Sequence, residues 1–238
     1  MRMMMTGAAF AALMLAACNP NANAQKPGDP APPNPTQTVA APAEKPVYRF
    51  KIGALDAIAL FDGENPVKND NQTFGVGLTP QAVAAPLTAA GQPADPIMLE
   101  IHPLLVRNGA RTMLFDTGLG EGKGQLMDSL QKAGVDPASI TDVLISHGHP
   151  DHVGGLIRNG GLAFPNAAIR MSQAEWASIR ANPELADLVR IITPKVQAFE
   201  PGGEVAPGVQ SQDTAVHTPG HVAYLIADGQ NQLLYTGD

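Results

Sequence analysis

Between Ser146 and Val153 the chain reads Ser-His-Gly-His-Pro-Asp-His-Val, directly after the apolar stretch Val143-Leu144-Ile145. Three imidazoles and a carboxylate this close together need a strand to deliver them and a loop to spread them, which points to a layered α/β scaffold with its site at strand ends. Side chains two apart on extended backbone point the same way. His147 and His149 can therefore face one ion, while Asp151 and His152 lie far enough along to face a neighbouring one. Imidazole and carboxylate suit Zn²⁺, and also Fe or Mn. With no thiolate in the run, a closed structural zinc site is disfavoured and an open, catalytic one expected. Gly148, Gly154 and Gly155 relieve the steric limits on a tight turn, and Pro150 fixes φ within it.

The remaining histidines reinforce this reading. Of six His, five fall in two segments, the run above and His217-Thr218-Pro219-Gly220-His221. Histidines scattered through a core would not cluster so. The sixth, His102, sits in an expected strand with no motif around it and reads as structural or at the rim of a site. Ser146 beside His147 raises a Ser-His pair, but neighbours at a strand end ordinarily point apart.

The 238 residues, 44% hydrophobic and 16% charged, suffice for one substantial core. A net charge of −7 without a basic patch excludes nucleic acid as a partner. Residues 1–18 read as a signal peptide: Arg2 is basic, the apolar stretch runs from Gly7 to Ala17, and Leu15-Ala16-Ala17-Cys18 resembles a bacterial lipobox. Cys18, the only Cys, would carry the lipid and be the sole membrane link. Ala22-Asn23-Ala24 offers a rival cleavage site. The expectation is an exported protein, either a lipoprotein on the periplasmic side of a bacterial membrane or, if cleaved after Ala24, a soluble periplasmic or secreted one. Residues 19–46, rich in Pro, Ala, Asn and Gln, bury too little to order themselves and read as a tether. A single Cys allows no intramolecular disulfide.

The folded domain is expected over 47–238. It opens with strands at 47–52 and 56–61, then a turn at Asp62-Gly63. Residues 69–95, rich in Gly, Pro, Ala and Thr, read as an irregular excursion. Residues 97–106 and 112–115 read as two strands joined at Asn108-Gly109. Leu126, Leu130 and Ala133 share a helical face that Gly134 closes. Ser172 and Glu175 form a capping-box signature for a helix carrying Trp176 and Ile179. Asn182-Pro183 starts another with Leu185, Leu188 and Val189 inward. Residues 222–226 and 232–236 read as a hairpin around Asp228-Gly229.

The run His147-x-His149-x-Asp151-His152 after a strand, with Asp116-Thr117-Gly118 upstream and Tyr235-Thr236-Gly237-Asp238 downstream, resembles the metallo-β-lactamase superfamily, an αβ/βα four-layer sandwich. The resemblance covers residues 47–238 and is greatest to methyl parathion hydrolase and the acyl-homoserine lactonases. Leu114-Phe115-Asp116-Thr117-Gly118, the stretch from His149 to Leu156, and Ala163-Phe164-Pro165-Asn166-Ala167 resemble methyl parathion hydrolase in particular. The superfamily resemblance implies His147, His149 and His217 on one zinc, Asp151 and His152 on a second, and Asp238 bridging, the ions roughly 3.5–4 Å apart. A hydroxide shared by the pair would be the nucleophile, with Asp151 orienting it or taking its proton. Asp116 and His221 would lie behind the ligands and orient them. In the family the ligand is the first His of His-Thr-Pro-Gly-His, some twenty-odd residues before the bridging Asp; His217 stands 21 before Asp238. Ala215-Val216 replaces the family's preceding Pro-Gly. The implied substrate is a small ester, lactone or phosphotriester.

The family pattern continues past the bridging Asp into further strands, a covering helix and another His of the second metal site. The expectation is a C-terminally incomplete domain, a fragment. The rival readings are a truncated, non-catalytic metal-binding relic and the same fold holding redox iron. Nothing in the sequence fixes the oligomeric state; a dimer is compatible with it.

Overall fold

The structure, a computed structural model, describes residues 47–238. The expected signal peptide, Cys18 and the tether lie outside the described residues.

The chain opens with an antiparallel pair, β1 (Tyr48–Ile52) and β2 (Leu55–Ala59), then β3 (Gly63–Val67) and α1 (Pro80–Ala89). Next come β4 (Ile97–Ile101), β5 (Leu104–Asn108), β6 (Arg111–Phe115) and α2 (Leu126–Lys132). After β7 (Asp142–Leu144) the metal-type run folds into α3 (Pro150–Val153), followed by the short β8 (Ile157–Arg158) and β9 (Gly161–Leu162). Then follow β10 (Ala168–Ser172), α4 (Gln173–Ala181), α5 (Ala186–Ile192) and β11 (Val196–Phe199). The described chain closes with β12 (Glu204–Ala206), β13 (Val209–Asp213), β14 (Val222–Asp228) and β15 (Asn231–Tyr235).

Seven strands form one sheet in the order β1-β2-β5-β6-β7-β10-β11, and β12 to β15 form a second in sequence order. Alternation along the strands divides their side chains between two cores. Leu105, Leu114, Val143 and Ile145 point to one face and pack with Leu126 and Leu130 of α2, Ile179 of α4 and Leu188 and Ile192 of α5. Leu104, Val106, Met113, Phe115 and Leu144 point to the other and pack with Val209, Val222, Tyr224 and Ile226 of the second sheet. Burial on both faces explains why the central strands read as continuous apolar runs rather than as alternation. Helices, large sheet and small sheet are thus three layers of the expected sandwich. No helix contributes a buried residue to the second core among the described residues.

Several local expectations change. Asp62-Gly63 is not a turn: Asp62 is fully buried and Gly63 begins β3. Residues 97–106 are two strands, not one. Break residues His102 and Pro103 let β4 pair with β3 while β5 joins the large sheet. The excursion at 69–95 contains α1, capped by Thr79, whose hydroxyl accepts from the Ala82 N–H.

Candidate metal centre

Strand β7 delivers the run to the end of the large sheet. Its backbone continues there, with Ile145 N–H donating to Arg170 O, so Ser146 and His147 are fully buried. His149 is extended and precedes α3, whose first residue is Pro150. The turn between them sends His147 and His149 toward the same space. His149 Nδ1 lies 3.1 Å from His147 Nε2 and 3.0 Å from His217 Nε2. Asp238 Oδ2 lies 3.3 Å from His217 Nε2 and 3.9 Å from His147 Nε2. The four ligand atoms lie within 4.8 Å of one another.

This arrangement fits a bound ion. Zinc–nitrogen bonds of about 2.0–2.1 Å at tetrahedral angles place neighbouring ligand atoms about 3.3 Å apart, close to the separations seen. Asp151, His152 and Asp238 form a second set alongside. His152 Nε2 stands 3.1 Å from Asp238 Oδ1 and 3.7 Å from Asp151 Oδ2. Asp238 faces both sets with one oxygen each.

The groups behind the ligands fix which nitrogen each ring presents. His152 Nδ1 lies 2.8 Å from Asp116 Oδ2, which leaves Nε2 for the cavity. Asp116 also accepts from the Ser146 N–H and hydroxyl at 2.7 Å and from the Tyr235 hydroxyl at 3.0 Å. It holds these partners from a left-handed backbone, φ 58°, a conformation uncommon outside glycine. Ser146 and His147 meet, contrary to expectation: Oγ is 3.0 Å from His147 Nδ1. The hydroxyl is buried and committed to Asp116, so it orients the ring and is not a nucleophile. His221 is buried with Nδ1 2.7 Å from Thr214 Oγ1. Its Nε2 is 3.5 Å from the Asp238 backbone nitrogen, so it stands behind Asp238 rather than in the cluster.

The electrostatics follow from burial and pairing. Burial, with His152 alongside, pushes the His147 imidazole down to about 3. His152 is held at about 10: burial opposes the charge, but hydrogen bonds to Asp116 and Asp238 outweigh it. The same His152 bond holds Asp238 down to about 2. Burial lowers His221 and pushes Tyr235 well up. Without a metal, His152 and Asp238 form an ion pair; a cation on His152 Nε2 would displace the proton held there, because imidazole ligates only as the neutral form.

Asp151, His152, His217 and Asp238 open into a cavity of roughly 630 Å³. Phe74, Met98, Leu99 and Ile101 give it an apolar wall, and His102 lines it too. His102 Nε2 is 2.9 Å from Glu100 Oε2, which places the sixth histidine on the rim.

Two residues escaped the sequence reading. Asp62 accepts from the Leu119 and Leu126 N–H groups, both at 2.7 Å, and anchors the loop after Asp116. Only its spacing from those loops, 57 and 64 residues, hid it. Glu175 was legible as a capping residue, but only half the box forms. Ser172 Oγ accepts from the Glu175 N–H at 3.0 Å. The Glu175 carboxylate turns instead to the two histidine loops.

These features define a class: the chain belongs to the metallo-beta-lactamase superfamily, whose sequence profile matches residues 100–238. Among curated relatives, an N-acyl homoserine lactonase of Bacillus sp is 36% identical over 104 residues, covering 43% of this chain and 39% of the relative. One of Bacillus cereus is 33% identical over 151 residues, 57% of this chain and 58% of the relative. The chain therefore matches 39% and 58% of these relatives' length, less than two thirds of either. Among solved structures, AidC, a dizinc quorum-quenching lactonase in complex with a product, matches with a TM-score of 0.69 and 27% identity. The match covers 79% of this chain and 73% of that one.

Proposed function

We propose that this protein is a metal-dependent hydrolase of a small lactone, with carboxylesters and phosphotriesters as the neighbouring substrate classes. The approach of His147 Nε2 and His217 Nε2 to 3.1 and 3.0 Å from His149 Nδ1, beside Asp238, with His217 and Asp238 lining a substrate-sized cavity, carries the reading. The lactonase relatives favour the lactone.

His147, His149, His217 and Asp238 would hold one zinc; Asp151, His152 and Asp238 would hold the other. Bound there, the metal supplies Lewis acidity and lowers the pKa of water to about 7. The chain's residues do the rest. Asp116, Ser146 and Tyr235 hold His152 in one ring orientation. Asp151, only partly buried at the cavity edge, would orient attacking water and receive its proton. Phe74, Met98 and Ile101 cover the apolar part of a substrate and exclude water from it. The lipobox-like Leu15 to Cys18 supports export and a lipid anchor as the membrane link.

The test is hydrolysis of a lactone, a carboxylester, a phosphotriester and a β-lactam by the purified chain, before and after chelation. Lactone turnover that chelator abolishes and zinc restores, and that His149→Ala loses while remaining folded, is expected. Turnover insensitive to chelator would overturn the proposal. Zinc binding without turnover of any of the four would favour the non-catalytic relic.

A further inference from the structure

We infer that Glu175, the third residue of α4, is a positioning residue that sets the angle at which the two histidine-bearing loops meet; the inference rests on the metal reading above. Glu175 is 2% exposed, and a buried carboxylate requires partners. It has three, none on its own helix. One oxygen accepts from the N–H of Gly148, the residue between His147 and His149, at 2.6 Å. The other accepts from the Thr218 hydroxyl at 2.7 Å and the Gly220 N–H at 3.0 Å, in the loop that carries His217. Ser172 adds a fourth tie by donating to the Gly220 carbonyl at 2.6 Å.

Both loops have other anchors: the Thr117 N–H and hydroxyl donate to His152 O at 2.8 Å, and the rest lie at the loop roots. The Val222 N–H donates to Ser146 O at 3.1 Å, and the Tyr224 hydroxyl to Ile145 O at 2.7 Å. The apex with His217 itself reaches the large sheet through Glu175 and Ser172. Packing there leaves no slack. A Cβ on Gly148 would sit 2.9 Å from Glu175 Oε1, and one on Gly220 would sit 2.1 Å from the Glu175 backbone nitrogen. Only an acceptor-only group satisfies this geometry. In Glu175→Gln the amide nitrogen can turn to the Thr218 hydroxyl, but the oxygen cannot serve Gly148 and Gly220 together. Either the Gly148 or the Gly220 N–H then loses its acceptor, and that tie is lost. Glu175 touches no ligand nitrogen, so its effect passes through ring placement and metal affinity.

The experiment compares wild type, Glu175→Gln and Thr218→Val as full chains, with zinc itself as the probe. Zinc affinity comes from chelator competition, the visible spectrum from the cobalt(II)-loaded chain, and Tm from melts with and without zinc. A roughly 10- to 100-fold weaker zinc affinity in Glu175→Gln is expected, with an altered cobalt spectrum and a smaller zinc-induced rise in Tm. A merely structural role would lower both melting points and leave that rise and the spectrum unchanged, which overturns the inference. Thr218→Val removes one tie of three without disturbing the helix cap and should weaken zinc roughly three- to tenfold. It decides the matter if Glu175→Gln does not fold, and unchanged zinc affinity in it then overturns the inference. If wild type binds no zinc, the metal reading fails and this inference with it; if wild type binds and the variants bind equally, only this inference fails.

Discussion

Asp142 illustrates how single residues hold the platform beneath the site. Its side chain is fully buried, yet it accepts from Arg111 through both oxygens at 2.8 Å, from Arg170 Nε at 2.9 Å and from Thr141 Oγ1 at 2.7 Å. Burial raises its carboxyl, but these donors outweigh it and hold the group below the ordinary carboxylate range. A depressed folded-state value means the stabilisation is complete above the unfolded value of about 3.9 and is lost as pH falls through the folded one. Asp142→Asn should therefore cost about 2–3 kcal/mol at pH 7, with the gap to wild type narrowing toward pH 3. Urea denaturation at the two values checks this; a gap independent of pH would show that the carboxylate's charge is not its source. At this scale the sequence disclosed the groups that cluster in it. His147, His149, Asp151 and His152 are legible because six consecutive positions leave little freedom in where they point. Asp62 and Glu175 were not, because their partners lie across the fold and a lone Asp or Glu is more often a cap or a solvated charge.

Among elements, those with two buried faces were the most legible. Strands β6 and β7 combine apolar runs with adjoining turn residues, and the sequence placed both. Splitting of β4 from β5 went unread because His102-Pro103 interrupts the run without a Gly or Asn signal, and only the pairing of β4 with β3 reveals it. Helix α1 was hidden for the opposite reason: it buries no residue and carries Pro86 in its interior, so no apolar stripe marks it. With so little tertiary support, a helix of 10 residues is marginal. Hydrogen exchange should find the amides of α1 among the least protected in the domain and those of β5 to β7 among the most. Protection of α1 equal to that of β6 would show a stabilising contact that its exposed faces do not disclose. Because residues 73 and 74, just before α1, line the cavity, a weakly held α1 also places mobility at the cavity's apolar wall.

Across the described domain, two cores share one large sheet, and the site lies where the ends of β7 and the loop before β14 approach each other. The superfamily resemblance was legible because it rests on local motifs, whereas the pocket wall comes from residues distant in sequence with no motif of their own. The proposed site at this end of the sandwich would hold a pair of metal ions, one on His147, His149 and His217 and one on Asp151 and His152, with Asp238 serving both. An equilibrium zinc titration of the metal-stripped chain tests it most directly. Two sites per chain are expected, the weaker one lost in Asp151→Ala while the tighter persists; a single site, or none, would contradict a metal pair.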